Sequence, residues 1–181
     1  MYFSREQIVA VGRCFSGAER LTERYFNLGR DAFSTNRYDV KTRFFLADHE
    51  VDDRAFAHLV RYEYRRPGWE DPTGDNDFFK ICLQDGRILH AVERSASFVK
   101  LEPLMCYIAI HELIHVIRFS RGEADFDASL EEKVVEEEKV HEITRTILKP
   151  HADRDMNLVI DCFRSDYHVG DIFTGEEASG N

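Results

Sequence analysis

The sequence contains few cysteines, and no two of them lie close together. Cys14, Cys82, Cys106 and Cys162 are the only four in 181 residues, and they form no CxxC pair. Disulfide frameworks and cysteine-rich zinc sites depend on regular or close spacing, so the sequence argues against both kinds of site. We therefore expect reduced, mostly buried thiols, as in a cytoplasmic protein.

The sequence also lacks a basic run, a long apolar run and a secretory leader pattern. Residues 1–66 hold 12 Lys and Arg against 10 Asp and Glu, whereas residues 67–181 hold 12 against 24, and the formal net charge is −10. So acidic a chain is a poor partner for a phosphate backbone, and we expect no nucleic-acid binding. The longest apolar stretch, 104–117, is interrupted by His and Glu and is too short to span a bilayer. Residues 1–6 show no leader pattern, so we expect no membrane association.

Length and element pattern predict a single domain over residues 1–181 with an α+β, helix-dominated fold and a small antiparallel sheet. We divide the chain into a helical N-terminal part at 1–65, a core at 66–150, and a C-terminal helix with a loose tail at 151–181. Residues 66–76 are dense in Pro, Gly and Asp, which predicts a loop between the first two parts.

Capping patterns locate two long helices. Ser4 followed by Gln7 resembles a capping box and predicts a helix to about residue 29. Ser129 with Glu132 predicts a second helix, which ends near residue 148 because Pro150 follows.

The other elements are expected from turn residues and apolar periodicity. The Asp85-Gly86 pair joins two β-favouring runs and predicts a hairpin over residues 78–92. Pro103 suits the first position of a helix that runs to about residue 121, where Gly122 is placed to end it. The remaining predictions are a strand or helix at 40–47, a short helix at 53–64 and an amphipathic helix at 155–165.

The motif His111-Glu-Leu-Ile-His115 carries the strongest indication of function. Residues four apart lie on one face of a helix, so both imidazoles can bind one metal ion. Glu112 can then take a proton from a water bound to that ion, which is how zinc hydrolases with this motif work. Apolar neighbours surround the motif, and two imidazoles and a carboxylate would be costly to bury there without a partner.

A zinc site of this kind needs a third protein ligand. On the helix that begins at Ser129, Glu137 falls within roughly 30° of the apolar direction, and His141 follows one turn later. Glu136 lies on a flank, and Glu138 and Glu142 point away, as expected for a solvated face. We predict that Glu137 is the third ligand and that His141 supports it; the alternative is that His141 is the ligand itself.

These residues resemble the zincin metallopeptidases, in a compact gluzincin-like arrangement of HExxH followed by a second helix with Glu137-x-x-x-His141. The resemblance covers roughly residues 78–150 and extends to compact intracellular metallopeptidases that act on bacterial regulators. It implies Zn²⁺ as cofactor, Glu137 as ligand and a supporting role for residue 141. His141 stands where Asp or Asn is usual, and Arg118 and Arg121 exclude the extended metzincin motif. Both arginines fall in the last turn of the predicted helix, where cations suit the helix dipole, so we assign them to the helix terminus.

In zincins a strand lies along the substrate cleft, antiparallel to the bound peptide. The resemblance assigns this place to the hairpin at 78–92, which would bring His90 or Arg87 near the substrate. Tyr167 and His168 are further candidates for stabilising the oxyanion.

The sequence thus predicts a zinc-dependent metallohydrolase, favouring a peptidase in which Glu112 activates water for attack on an amide carbonyl. Its partner would be a peptide or protein substrate. One alternative is a non-catalytic zinc-containing protein-binding or regulatory module derived from a zincin. Another is a helical scaffold that has lost the metal. The sequence leaves the oligomeric state open.

Overall fold

The computed structural model describes residues 1–29, 32–35, 38–63, 77–95 and 98–163. They form a helix-dominated α+β fold with a small sheet, which confirms the predicted fold class. The helices are α1 Arg5–Tyr25, α2 Ala32–Thr35, α3 Asp85–Arg94, α4 Leu101–Ser120, α5 Leu130–Leu148 and α6 Arg154–Cys162. The strands are β1 Tyr38–Lys41, β2 Ala57–Glu63 and β3 Asp77–Leu83, and short 3₁₀ turns cover Arg43–Phe45, Asp48–Glu50 and Lys149–His151.

Both predicted capping boxes are confirmed. At the start of α1 the Gln7 amide donates to Ser4 Oγ at 3.2 Å, and the Ser4 amide donates to Gln7 Oε1 at 2.8 Å. Ser129 and Glu132 make the same reciprocal bonds at the start of α5. These bonds satisfy backbone N–H groups that a helix cannot pair internally, so they fix where the two helices begin.

The central helix is α4, and it is buried on every side over most of its length. It packs against α1, α5, α6 and the sheet, which explains why its apolar residues show no single stripe. The helix begins earlier than predicted, so Pro103 is its third residue and not its first. That position is tolerated because the N–H groups of the first turn have no helical partner.

Gly122 ends α4 as predicted. Its φ of +64° is the left-handed conformation that glycine adopts without strain. The Gly122 amide donates to the Phe119 carbonyl at 3.0 Å, and the Glu123 amide donates to the Arg118 carbonyl at 2.9 Å. This bond pair is the Schellman motif, and it turns the chain sharply towards α5.

Within the described ranges, no helix has the length and apolar character needed to cross a membrane.

The sheet has the order β1-β3-β2, with β1 parallel and β2 antiparallel to β3. The predicted helix at 53–64 is therefore wrong over Ala57–Glu63. Strand β3 has backbone hydrogen-bonding groups along both edges, and these need partners. The segment forms β2 because it pairs with one of these edges, with Leu59 opposite Ile81. Asp53 caps no helix and accepts a hydrogen bond from the Arg43 side chain instead.

The predicted hairpin at 78–92 is also wrong in its second half, because Asp85-Gly86 begins α3 instead of forming a turn. The Asp85 carboxylate is buried and accepts hydrogen bonds from the amides of Phe3, at 3.1 Å, and Arg43, at 3.0 Å. These long-range bonds hold the residue as an anchor between distant segments. Ile88 and Leu89 then face the core from the helix that follows.

The contact between α1 and α4 includes a pair of thiols. Sγ of Cys14 and Sγ of Cys106 lie 2.9 Å apart, and neither is in a disulfide. A disulfide holds its sulfurs about 2.05 Å apart, and these two are close enough to be candidates for such a bond on oxidation.

We predict that mild oxidation with diamide joins Cys14 to Cys106 within one chain, each thiol losing one hydrogen to the reagent. In a Cys162→Ser background, thiol titration should fall from three groups to the one of Cys82, and peptide mass mapping should show the link. Cys14→Ser is the control and should prevent the internal bond. Disulfide dimers as the sole product would contradict this packing of α1 on α4.

Candidate metal centre

Two helices bring three of the predicted ligands together. His111 and His115 lie one turn apart on α4, and their Nε2 atoms are 3.2 Å apart. Glu137 of α5 reaches both rings, with Oε2 at 3.2 Å from His111 Nε2 and Oε1 at 3.0 Å from His115 Nε2. Both histidine side chains are buried. Two nitrogens and a carboxylate thus converge on one point.

The spacing of these donor atoms suits zinc. Donors at about 2.0–2.1 Å from a tetrahedral zinc ion are about 3.3–3.4 Å apart. The three separations in the cluster, 3.0 to 3.2 Å, are slightly smaller, so an ion would need only a small outward movement of the side chains. Imidazole and carboxylate are also the ligand types found in catalytic zinc sites.

The charges in the cluster favour a cation. Burial raises the pKa of the Glu137 carboxyl, but the charges and hydrogen bonds of His115 and His111 outweigh it and hold that pKa well below its usual range. For His115, burial lowers the pKa, but the neighbouring Glu137 carboxylate raises it by more. The pKa of His115 is therefore raised. Glu137 and His115 thus favour each other's charged forms, and a divalent cation can supply the positive charge that the carboxylate attracts.

Glu112 lies beside the cluster and has an unsatisfied oxygen. The residue is 2% exposed, and its Oε2 has no hydrogen-bond partner among the described residues. Burial raises its pKa, although His111 and His115 act in the opposite direction. A buried carboxylate oxygen without a hydrogen-bond partner costs free energy, so we expect a water molecule or a ligand to bind to this oxygen. The Nδ1 atoms of His111 and His115 are likewise buried without a partner among those residues.

His141 packs against the ring of His111. Its ring centroid lies 4.5 Å from that of His111, and its Nδ1 is 2.9 Å from the Tyr107 hydroxyl. One donor atom each from His111, Glu137 and His141 lie within 4.8 Å of one another. This spread is wider than that of the His111, His115 and Glu137 donors, so His141 fits the supporting place better than the third-ligand place.

A cleft of about 720 Å³ opens onto the cluster. Glu112, His115 and Glu137 line it together with the loop after α4, the first half of α5, and His58 and Leu59 of β2. The strand beside the cleft is therefore β2, which is an edge strand of the sheet that the described residues form. We expected the hairpin predicted at 78–92 to lie beside the cleft, but the second half of that segment forms helix α3.

The candidates for the substrate edge lie away from the cleft. His90 is exposed on α3, where its Nδ1 is 3.7 Å from the Glu93 carboxylate. Arg87 of the same helix donates to the Asp53 carbonyl at 3.1 Å. Neither residue lines the cleft. Tyr167 and His168 are outside the described residues.

Sequence reasoning missed the role of Arg118. Its side chain is 4% exposed and donates to both carboxylate oxygens of Glu136, from Nε at 2.6 Å and from Nη2 at 2.9 Å. Nη1 also donates to Glu123 at 2.8 Å. Arg118 thus ties the end of α4 to α5 next to Glu137, beyond the helix-terminus role that the sequence indicated. The sequence does offer a clue to this role, because Arg118 follows His115 by three residues on the same face of α4, and α5 carries an acidic run.

We predict that Arg118→Met lowers the free energy of unfolding by about 3 kcal/mol, because it leaves Glu136 with an uncompensated charge at a mostly buried place. Arg121→Met is the matched control; that side chain is 40% exposed, and the loss should be below about 1 kcal/mol. Urea unfolding in the presence of a chelator measures both values. Equal losses in the two variants would contradict the clamping role of Arg118.

No protein-family model matches this chain, and neither a curated protein nor a solved structure matches it. The resemblance to zincins therefore rests on the HExxH motif and on the downstream residues quoted for it. Whatever is inferred about function must come from the geometry of the cluster and its cleft.

Proposed function

We propose that this protein is a zinc-dependent hydrolase that acts on peptides. One observation carries the proposal: two buried imidazole nitrogens, 3.2 Å apart, each lie within 3.2 Å of an oxygen of the Glu137 carboxylate, beside the buried Glu112 with its unsatisfied oxygen, at an open cleft. A cluster that served packing alone would have little need for an unpaired carboxylate or for access from solvent.

In this proposal His111, His115 and Glu137 hold the metal. When bound, zinc lowers the pKa of a coordinated water and polarises a substrate carbonyl. Glu112 accepts a proton from that water and later delivers it to the leaving nitrogen of the amide. The burial that raises the pKa of Glu112 brings it nearer to neutrality, where a carboxyl can both accept and return a proton.

The edge strand β2 supplies the means to hold a substrate. β2 pairs with β3 on one side, and His58 and Leu59 lie along the cleft. An extended peptide can add to such an edge through main-chain hydrogen bonds, which align it without requiring a particular sequence. A peptide in this position would pass near Glu112, so its amide carbonyl could be presented to the site.

A non-catalytic zinc-binding module is the second candidate, and His141 is the observation that favours it. A donor atom of His141 lies within 4.8 Å of donor atoms of His111 and Glu137. If the ring moved inwards, four protein ligands would surround the ion, as in structural zinc sites, and leave no position for water.

We predict that the purified protein carries close to one zinc ion per chain, measured by elemental analysis. His111→Ala and Glu137→Ala should each remove it, because two remaining ligands bind zinc weakly, and His141→Ala should retain it. If His141→Ala lost zinc and Glu137→Ala kept it, the third ligand would be His141 and not Glu137. A wild-type protein that takes up no zinc even after incubation with the ion would end the hydrolase proposal.

We also predict that Glu112→Gln retains zinc and loses hydrolysis by about 10²- to 10⁴-fold, since an amide side chain cannot accept the proton from water. A mixture of quenched-fluorescence peptides with randomised positions serves as substrate. The control is Glu138→Gln, which makes the same chemical change on the exposed face of α5 and should be fully active. An active Glu112→Gln protein would show that this carboxylate is not the base.

A further inference from the structure

The walls of the cleft carry a strong excess of negative charge. Eight carboxylate residues line it, namely Glu112, Glu123, Asp125, Asp127, Glu131, Glu132, Glu136 and Glu137. Three cationic residues, Arg118, Lys133 and Lys139, lie among them. With histidines neutral, the lining carries a formal charge of −5, and it stays negative, at −3, with a zinc ion at the cluster. A concave surface of one sign concentrates ligands of the opposite sign.

Internal ion pairs leave part of this charge uncompensated. Arg118 is engaged by Glu136 and Glu123, so it offers little to a ligand. In contrast, the described residues provide no cation within ion-pair distance of Asp125 or Glu131. Among the described residues, the Asp125 carboxylate accepts a hydrogen bond only from the Asp127 amide, and the Glu131 side chain is exposed.

Two further features indicate a ligand larger than a free ion. The buried Glu112 lines the cleft and has an unpartnered carboxylate oxygen, which a substrate or water would satisfy. Leu59, Phe119 and Phe126 line the same cleft between the carboxylates. Apolar surface interleaved with charge suits a chain that carries both kinds of side chain, and the volume of about 720 Å³ accommodates several residues.

We infer that the cleft selects peptide segments that carry Lys or Arg near the bond presented to Glu112. This inference rests on the proposed function, of which it names the substrate class. The aliphatic stem of a Lys or Arg side chain can lie on Leu59 or Phe126 while its charged end reaches Asp125 or Glu131. Acidic peptides would be repelled by the same carboxylates.

The test compares three labelled nonapeptides that share one sequence except at two positions, which are Arg, Gln or Glu. Binding is measured by fluorescence anisotropy on the zinc-supplemented Glu112→Gln protein, which should hold peptides without cutting them. At low salt the Arg peptide should bind on the order of tenfold more tightly than the Gln peptide. The difference should shrink in about 0.5 M salt because exposed charges are then screened.

Paired variants locate the charge. Asp125→Asn combined with Glu131→Gln should reduce the preference for the Arg peptide about threefold or more, since it removes two uncompensated carboxylates. Glu138→Gln combined with Glu142→Gln makes the same change in net charge outside the cleft and should leave the preference unchanged. Equal losses in both pairs would mean that net charge, and not this cleft, attracts the peptide, and would overturn the inference.

Cleavage by the zinc-supplemented wild type separates this inference from the proposed function. Cleavage of all three peptides at equal rates would support hydrolysis and overturn the charge selectivity. Tight binding of the Arg peptide without cleavage of any peptide would support the selectivity and overturn hydrolysis. Binding of none of the three, or tightest binding of the Glu peptide, would overturn the inference about the cleft.

Discussion

The structure depends on how a helix that is buried over most of its length accommodates the polar side chains of the HExxH motif. Helix α4 passes through the core, and His111, Glu112 and His115 are buried with its apolar residues. Imidazoles and carboxylates removed from water must find partners or lose stability. The partner for both imidazoles is Glu137, so α5 must lie across α4 at one place and at one rotation. The position of the second helix is thus set as much by this polar contact as by apolar packing.

Two adjacent residues of α5, Glu136 and Glu137, together hold the helix in that position. Successive residues on a helix are about 100° apart, so Glu136 and Glu137 face different neighbours. Glu137 meets the histidines, whereas Glu136 is held by Arg118 through two short hydrogen bonds. A rotation of α5 that improved one contact would damage the other. The pair therefore fixes the approach of the Glu137 carboxylate, as a preorganised metal site requires.

This division explains which parts could be predicted from the sequence. Spacing along a single helix and its capping residues are local properties, so the predictions of α5 with its cap and of the His111–His115 pair needed no tertiary information. Glu137 also followed from the apolar stripe of its own helix. The strand β2 and the helix α3 did not, because each is selected by distant groups: β3 offers an edge to β2, and Phe3 and Arg43 hold Asp85. The Arg118–Glu136 contact joins two helices, so it could not be predicted from local sequence either.

The same geometry bears on whether the proposed zinc site is open or closed. The cleft reaches the cluster on the side of Glu112, His115 and Glu137, whereas His141 approaches from the side of Tyr107. Burial, with a smaller contribution from His111, lowers the pKa of His141 to about 3, so its ring is neutral. With Nδ1 engaged by Tyr107, only Nε2 remains for a metal. His141 does not line the cleft, so in this structure the side of the cluster that faces the cleft is formed by Glu112, His115 and Glu137. Glu112, which has the unsatisfied oxygen, lines the cleft from which water and substrate would arrive, and this favours the enzyme over the module.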